Sequence, residues 1–239
     1  MTGVQTCALP ISTGTPNDAF GYYALYSNTT GAYNVAVGYQ SLYANTTGVN
    51  NNAFGYGALN TNQTGSYNSA FGTQSLVTNT GSANCAFGQG ALQLQGNASN
   101  NNAFGYQALY NNTTGTPNDA FGRQALFNNT TGVNNVAVGY TALYNNTIGT
   151  GNVGVGLNAC GTNQTGSNNT AVGVQTLGSG AVSGSFSNCS AFGYQALNAN
   201  TSGTPNDAFG YRALFANTTG AYNCAIGNLA LSEIGRAHV

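Results

Sequence analysis

The sequence repeats one pattern of apolar and polar positions about every 17 residues. Each unit begins with Asn, has a Gly at its fifth position and an apolar residue at its ninth, and positions are numbered below from that first Asn. Twelve complete units and a truncated thirteenth begin at Asn17, Asn34, Asn51, Asn68, Asn84, Asn101, Asn118, Asn135, Asn152, Asn169, Asn188, Asn206 and Asn223. A fixed period of this kind predicts a repeat architecture, with one structural element per unit.

The columns formed by equivalent positions show which residues the repeat requires. Position 5 is Gly in every unit, position 4 is Phe, Val or Ile, and position 9 is Leu everywhere except Cys160. A Gly between two apolar positions rules out a continuous stripe at the helical period. Positions 2–4 and 8–10 have the composition of half-buried strands, and N-T-T-G has turn chemistry. The pattern therefore predicts two short strands in each unit.

Such units predict an all-β fold, a parallel β-solenoid of about thirteen 17-residue coils. Stacked at the strand spacing of about 4.8 Å, the coils extend roughly 60 Å. We expect positions 4 and 9 to form two inward columns that meet as the core, and Asn at positions 1 and 12 to form amide ladders along the stack. One coil cannot offset its own backbone entropy, so stability is expected to come from neighbouring coils.

Both ends of the chain break the repeat. Residues 1–11 and residues 233–239 each resemble translated sequencing adapter, because adapter codons reproduce both segments. We therefore expect residues 12–232 to be the natural segment, a β-solenoid repeat domain and a fragment of a longer protein. On this interpretation Met1, Cys7, Arg236 and His238 take no part in function.

Charge is almost absent from the chain. Only 3% of the residues are Asp, Glu, Lys or Arg, against roughly 25% in a typical soluble domain. No basic patch can be assembled for phosphate contacts, which argues against a nucleic-acid partner. No apolar run approaches the roughly 20 residues of a membrane-spanning helix, so we expect no membrane span in this fragment.

The titratable groups of the repeat give no catalytic constellation. Asp18, Asp119 and Asp207 share position 2, within the tetrapeptide TPND, and lie many coils apart. We interpret TPND as a polar turn that leads into the strand. Metal-binding loop motifs and the phosphate-binding glycine motif do not occur. The expectation is that the protein is not an enzyme and has no catalytic residues, no cofactor and no metal site.

Four cysteines lie within the repeat. Cys85, Cys189 and Cys224 fall at or near position 2, and Cys160 is at position 9. Cys189 and Cys224 are predicted two coils apart, near 10 Å, beyond the roughly 4.4–6.8 Å that a disulfide spans between Cα atoms. We therefore expect free thiols, with Cys160 as a small core residue. The spacing is disturbed by the insert GSGAVSGSFS and by an extra residue near Ser190.

Tyrosines are the candidate surface contacts. At position 6 they are Tyr22, Tyr39, Tyr56, Tyr106, Tyr140, Tyr194 and Tyr211, and at position 10 they are Tyr26, Tyr43, Tyr110 and Tyr144. Columns of Tyr can bind a glycan or a protein surface, because the ring supplies apolar area and the hydroxyl a polar handle. The alternative interpretation is stacking along the solenoid or between chains.

Two units carry a resemblance to a known family. The segments NVAVGYQSL (residues 34–42) and NVAVGYTAL (residues 135–143) resemble the head repeats of YadA-like trimeric autotransporter adhesins, whose motif runs S-V-A-I-G-x-x-S/A. The longer pattern N-T-A-V-G-Y-x-A-L-x-x-N-T-T-G is similar to repeats in phage-tail-fibre-like proteins that end in an endosialidase-type chaperone domain. The resemblance implies a left-handed parallel β-roll, assembled as a homotrimer, on a bacterial or phage surface.

These observations favour a structural and binding role. We expect the repeat region of a surface-exposed fibre or adhesin that mediates attachment, with a host-surface glycan or protein as partner besides the homotrimer itself. The location is then the cell surface, with an outer-membrane anchor, or a phage virion. The alternative is the shaft of a phage-tail-fibre-like protein. A remote alternative is an ice-binding solenoid, which the paired Thr of N-T-T-G suggests but which adjacent strand residues pointing in opposite directions disfavour.

Overall fold

The computed structural model describes residues 13–178 and 184–233. The expectations for residues 1–11 and for residues 234–239 lie outside the described residues. The fold is all-β, with the strands β1 (Asn17–Phe20), β2 (Asn34–Val37), β3 (Asn52–Phe54), β4 (Ser69–Phe71), β5 (Cys85–Phe87), β6 (Asn101–Phe104), β7 (Asn118–Phe121), β8 (Asn135–Val138), β9 (Val153–Val155), β10 (Thr170–Val172), β11 (Ser190–Phe192), β12 (Asn206–Phe209) and β13 (Asn223–Ile226).

The strands stack in chain order within two compact units. The first unit is Met1–Pro117, with β1–β6, and the second is Asn118–Val239, with β7–β13. Neighbouring strands are parallel, and each residue pairs with its repeat equivalent, as Ala19 does with Ala36 in the first unit and Ala120 with Ala137 in the second. One period of the sequence is therefore one coil, and the predicted parallel β-solenoid is confirmed.

Each coil has one strand, not two. The strand covers positions 2–4 or 1–4, and positions 6–10 form consecutive turns. Positions 7 and 9 are left-handed, with φ of 54° at Gln40 and 49° at Leu42. A β-strand does not contain such angles, so the predicted strand at positions 8–10 is wrong. The segment still bonds to the next coil, where the Leu42 N–H donates to the Ala58 carbonyl at 2.9 Å.

The core of a coil consists of small side chains and one Leu. Ala36 at position 3 and Leu42 at position 9 are fully buried. Successive strand residues point to opposite faces, so position 4 points outward, and Phe20 and Phe121 are 59% and 40% exposed. The expected inward column at position 4 is wrong. Ala at position 3 takes the inward place, because the narrow coil has room there only for a small side chain.

Asparagine ladders run through the interior at positions 1 and 12, as the sequence predicts. Asn51 is fully buried, and its Oδ1 accepts hydrogen bonds from the Asn68 backbone N–H at 3.0 Å and from Asn68 Nδ2 at 3.2 Å. Asn51 Nδ2 donates to the Gly65 carbonyl at 2.9 Å, which closes its own coil. The second ladder follows the same rule, because Asn45 Nδ2 donates to Asn28 Oδ1 at 2.9 Å. Each amide thus ties its coil to the preceding one.

Glycine at position 5 is required by close backbone approach. At Gly55, φ is +136°, and a Cβ atom added there meets the Gly72 carbonyl oxygen at 2.6 Å. Gly57, two residues later, has φ of +65°, and an added Cβ atom meets nothing closer than Gln74 Cγ at 4.0 Å. The first position therefore excludes a side chain, whereas the second excludes only the residues that cannot adopt a left-handed backbone.

The coil after the insert starts one residue later than the sequence suggests. Ser190 pairs with Thr170, which places Ser190 at position 2 and Cys189 at position 1. Cys189 occupies an asparagine place in the ladder, because its backbone N–H donates to Asn169 Oδ1 at 3.1 Å and its Sγ lies 3.5 Å from the Gly203 carbonyl. The extra residue is Asn188, which has a left-handed φ of 56° and precedes the coil.

We predict that Gly55→Ala destabilises the protein far more than Gly57→Ala does. The first change places Cβ against the Gly72 carbonyl at a φ reserved for glycine, and the second carries only the left-handed penalty of about 1–2 kcal/mol. Thermal unfolding followed by circular dichroism measures both variants. Equal losses of melting temperature in the two variants contradict the close-approach argument.

We predict that Asn51→Ala lowers the free energy of unfolding by about 2–4 kcal/mol, because it leaves the buried Asn68 amide groups without their acceptor. The matched control is Asn52→Ala, the next residue along the chain and at outward position 2 of β3, with an expected loss of at most about 0.5 kcal/mol. Chemical denaturation of both variants tests the difference. A neutral Asn51→Ala shows that the ladder does not hold the coils together.

Candidate binding surface

The seven candidate tyrosines at position 6 form outward columns. They are 40–52% exposed, with Tyr22, Tyr39, Tyr56 and Tyr106 in the first unit and Tyr140, Tyr194 and Tyr211 in the second. Where Tyr occupies consecutive coils, the rings stack, with centroids 5.2 Å apart for Tyr39 and Tyr56 and 5.5 Å apart for Tyr194 and Tyr211. Stacking along the solenoid is therefore present, and each ring keeps an exposed edge and its hydroxyl.

Position 10 carries a second outward aromatic column beside the first. Tyr26 stacks on Tyr43 at 5.4 Å between ring centroids, and Phe127 stacks on Tyr144 at 5.3 Å. Tyr23, at position 7, links the two columns, because its ring centroid lies 4.0 Å from that of Tyr22 and 5.1 Å from that of Tyr26. Positions 6, 7 and 10 therefore share one face of the coil.

A groove opens on this face where the columns are interrupted. It lies in the second unit and has a volume of about 360 Å³. Its lining comes from positions 6, 7, 10 and 11 of two consecutive coils and from position 7 of a third, and comprises Tyr140, Thr141, Tyr144, Asn145, Leu157, Asn158, Gly161, Thr162 and Gln175. Sequence reasoning missed this groove. Its signal in the sequence is a Gly at position 10, Gly161, directly after Tyr144 at position 10 of the preceding unit.

The threonines of the N-T-T-G corner bond to the backbone of the next coil. Thr29 Oγ1 donates to the Thr46 carbonyl at 2.9 Å, and Thr46 Oγ1 donates to the Gln63 carbonyl at 3.0 Å. The first Thr of these corners thus uses its hydroxyl to join coils, and Thr130, Thr147 and Thr201 make the same bond. Because these hydroxyls are bonded within the solenoid, they do not support an ice-binding role for the corner, which stays a prediction.

The charged side chains are spread over the coil surface. Asp18, Asp119 and Asp207 lie within β1, β7 and β12 at outward position 2, which corrects their assignment to a turn before the strand. Their register partners are neutral residues, such as Val136 beside Asp119. Arg123 places its Cζ atom 5.6 Å from the Tyr140 ring centroid.

No metal site is formed by the residues that the structure describes. Within residues 13–178 and 184–233, no three His, Cys, Asp or Glu side chains lie close enough together to hold a metal ion. The same described residues include no helix with the length and apolar composition needed to cross a membrane.

The four cysteines of the described residues are free thiols, as expected. Burial raises the pKa of Cys85 and, more strongly, the pKa of Cys160, which is fully enclosed in the core. Burial also raises the pKa of Cys189, although hydrogen bonds from the Asn206 backbone and from Thr204 oppose the effect. Cys224 is exposed. A raised pKa keeps a thiol protonated and unreactive near neutral pH.

Among the four cysteines of the described residues, we predict that iodoacetamide modifies Cys224 first and Cys85 more slowly in the folded protein at pH 7. Cys160 and Cys189 are expected to react about tenfold or more slower than Cys224. Raising the pH increases the thiolate fraction of Cys85 and speeds its modification. Peptide-resolved mass spectrometry gives the four rates, with guanidinium-unfolded protein as control. Equal rates in the folded protein contradict the burial of Cys160 and Cys189.

No family model, no curated protein and no solved structure matches the chain.

Proposed function

We propose that the chain is the repeat region of a surface-exposed fibre or adhesin, that it assembles as a homotrimer, and that it mediates attachment. The observation that carries the proposal is the outward apolar column at position 4 of the strand. In the second unit, Phe121 is 40% exposed, Val138 is 39% exposed and Phe209 is 37% exposed. Contiguous exposed apolar surface favours association with another protein surface.

The regularity of this column favours another copy of the same chain. Phe54 and Phe71 stack with ring centroids 4.7 Å apart, and Phe71 and Phe87 stack at 4.5 Å. A second chain with the same coil spacing meets this row once per coil, so one favourable contact is repeated along the stack. Closed symmetric assemblies are the usual form of such self-association.

The low charge of the sheet face removes an obstacle to chain-to-chain packing. Position 2, which shares the outward face with position 4, carries Asp18, Asp119 and Asp207 in three coils and neutral side chains in the others. Few ionised groups therefore lose water when two such faces meet. A trimer, rather than another number of chains, is suggested by the resemblance to YadA-like head repeats.

Attachment is assigned to the face that carries positions 6, 7 and 10. Packing through position 4 uses the strand, so the half-exposed tyrosines stay available for a second partner. Tyr and its hydroxyl suit contacts with a glycan or with a protein surface. A location at the cell surface or on a virion follows from the same resemblance and belongs to this proposal.

The surface adhesin and the phage-tail-fibre shaft are both expected to be trimers. They differ in the domain that follows the repeats. A gene that continues into an outer-membrane β-barrel anchor identifies a surface adhesin. A gene that continues into an intramolecular chaperone domain identifies the shaft of a phage-tail-fibre-like protein. The sequence of the flanking gene therefore separates them.

We predict that light scattering of the full chain gives three times the chain mass of 24.2 kDa, independent of concentration over the micromolar range. The double variant Phe121→Thr/Val138→Thr keeps strand propensity but removes outward apolar surface, and we expect it to dissociate. The control is Tyr140→Thr, in the same coil as Val138 and 47% exposed, which keeps the trimer. A stable monomer with β-type circular dichroism refutes the assembly.

A further inference from the structure

We propose that the groove described above, which Tyr144 lines, binds a neutral sugar ring of a glycan. It is named the Tyr144 groove. This gives a ligand class to the attachment proposed above and in that sense rests on it. The volume of about 360 Å³ falls within the roughly 300–1,000 Å³ typical of small-ligand sites. The lining combines an aromatic ring with amide side chains, which is the chemistry that an uncharged polyhydroxylated ring requires.

The aromatic part is the free face of the Tyr144 ring. Phe127, in the preceding coil, covers one face, with ring centroids 5.3 Å apart and an interplanar angle of 7°. The next coil carries Gly161 at the equivalent position, so no side chain stacks on the other face, and both residues line the groove. One coil spacing of about 4.8 Å suits a flat ring laid against Tyr144. The C–H face of a pyranose is such a ring, and its burial against an aromatic side chain is favourable.

The polar part is a set of carboxamides held in place by the backbone. Asn145 Nδ2 donates to the Gly161 carbonyl at 2.9 Å, which fixes its side chain at the edge of the groove. Asn158 Oδ1 lies only 1.9 Å from the point where a Gly161 Cβ would stand, so the Asn158 amide takes the room left by the missing side chain. Gln175 in the following coil accepts a hydrogen bond from Gln195 Nε2 at 2.9 Å. Amides both donate and accept, as sugar hydroxyls do.

The absence of charge from the lining selects a neutral sugar. None of the residues that line the Tyr144 groove is ionised. The nearest described cation against the lining is Arg123, whose Cζ atom lies over the Tyr140 ring and belongs to the preceding coil. An acidic sugar would leave its carboxylate without a partner in the groove, which costs binding free energy. A hexose or N-acetylhexosamine unit therefore fits better than a sialic or uronic acid.

The replacement of an aromatic residue by Gly161 distinguishes the Tyr144 groove from the rest of the position-10 columns. Tyr26 is covered by Tyr43, and the coil after Tyr43 carries Asn60, whose side chain bonds to the Gln40 carbonyl at 3.1 Å. Along position 10 of the repeats, Gly directly follows a Tyr only at Gly161, and the Tyr144 groove adjoins that stacked ring. The proposal therefore names one subsite and not the whole column.

The test is titration of the full chain with cellobiose, maltose, lactose and chitobiose, followed by saturation-transfer NMR and calorimetry. We expect at least one of them to bind with a dissociation constant in the millimolar range, and Tyr144→Ala to weaken binding by about tenfold or more. Asn158→Gln/Gly161→Tyr copies the Gln40 and Tyr43 pairing, continues the aromatic column and fills the groove. This variant is expected to abolish binding while the protein stays folded.

Tyr43→Ala is the matched control, because it removes an equivalent ring outside the groove, and it is expected to leave sugar binding unchanged. Binding that survives both Tyr144→Ala and the filled variant overturns the proposal, as does the failure of all four sugars to bind or tighter binding of glucuronic acid. Light scattering of the same samples separates the two proposals. A trimer that binds no sugar refutes only the Tyr144 groove, and a monomer that binds sugar refutes only the assembly.

Discussion

Hydrogen bonding between each coil and the next is the constraint on which the rest of this structure depends. Because the strands are parallel and in register, the neighbour of almost every residue is its own repeat equivalent. A side chain is therefore acceptable only if it can lie beside another copy of itself at about 4.8 Å. Apolar rings, amides and glycine meet this condition, whereas like charges do not. The scarcity of charge and the strict columns have the same cause.

The interior shows how polar groups are accommodated under this constraint. A narrow coil has little apolar volume, and its core is Ala and Leu flanked by two rows of buried asparagine. Each amide accepts from the following coil and donates to the carbonyl that closes its own, as Asn51 does with Asn68 and Gly65. The rows therefore supply directional bonds that fix the register where packing alone is too sparse to do so. Cys189 marks the one described place where a thiol replaces the amide.

Function in such a solenoid is expected where the repeat is broken. Regular columns bury one ring face against the next, and only their edges meet solvent. The replacement of an aromatic residue by Gly161 leaves the Tyr144 ring with a free face, and the amide of Asn158 fills part of the space. The outward Phe and Val column of the strand is regular by contrast, which suits contact with a copy that has the same period. Irregularity thus favours a small ligand, and regularity favours another chain.

The sequence alone determined the period, the parallel solenoid, the glycine corners and the asparagine ladders, because each depends on contact between equivalent residues, which periodicity reveals directly. Tertiary structure decided which face each column occupies. Phe at position 4 reads as core by its hydrophobicity, yet strand alternation gives the inward place to Ala36 and its equivalents. It also decided that positions 8–10 turn, because the short coil needs left-handed residues such as Leu42. The Tyr144 groove arises between coils, where no single unit of the sequence contains it.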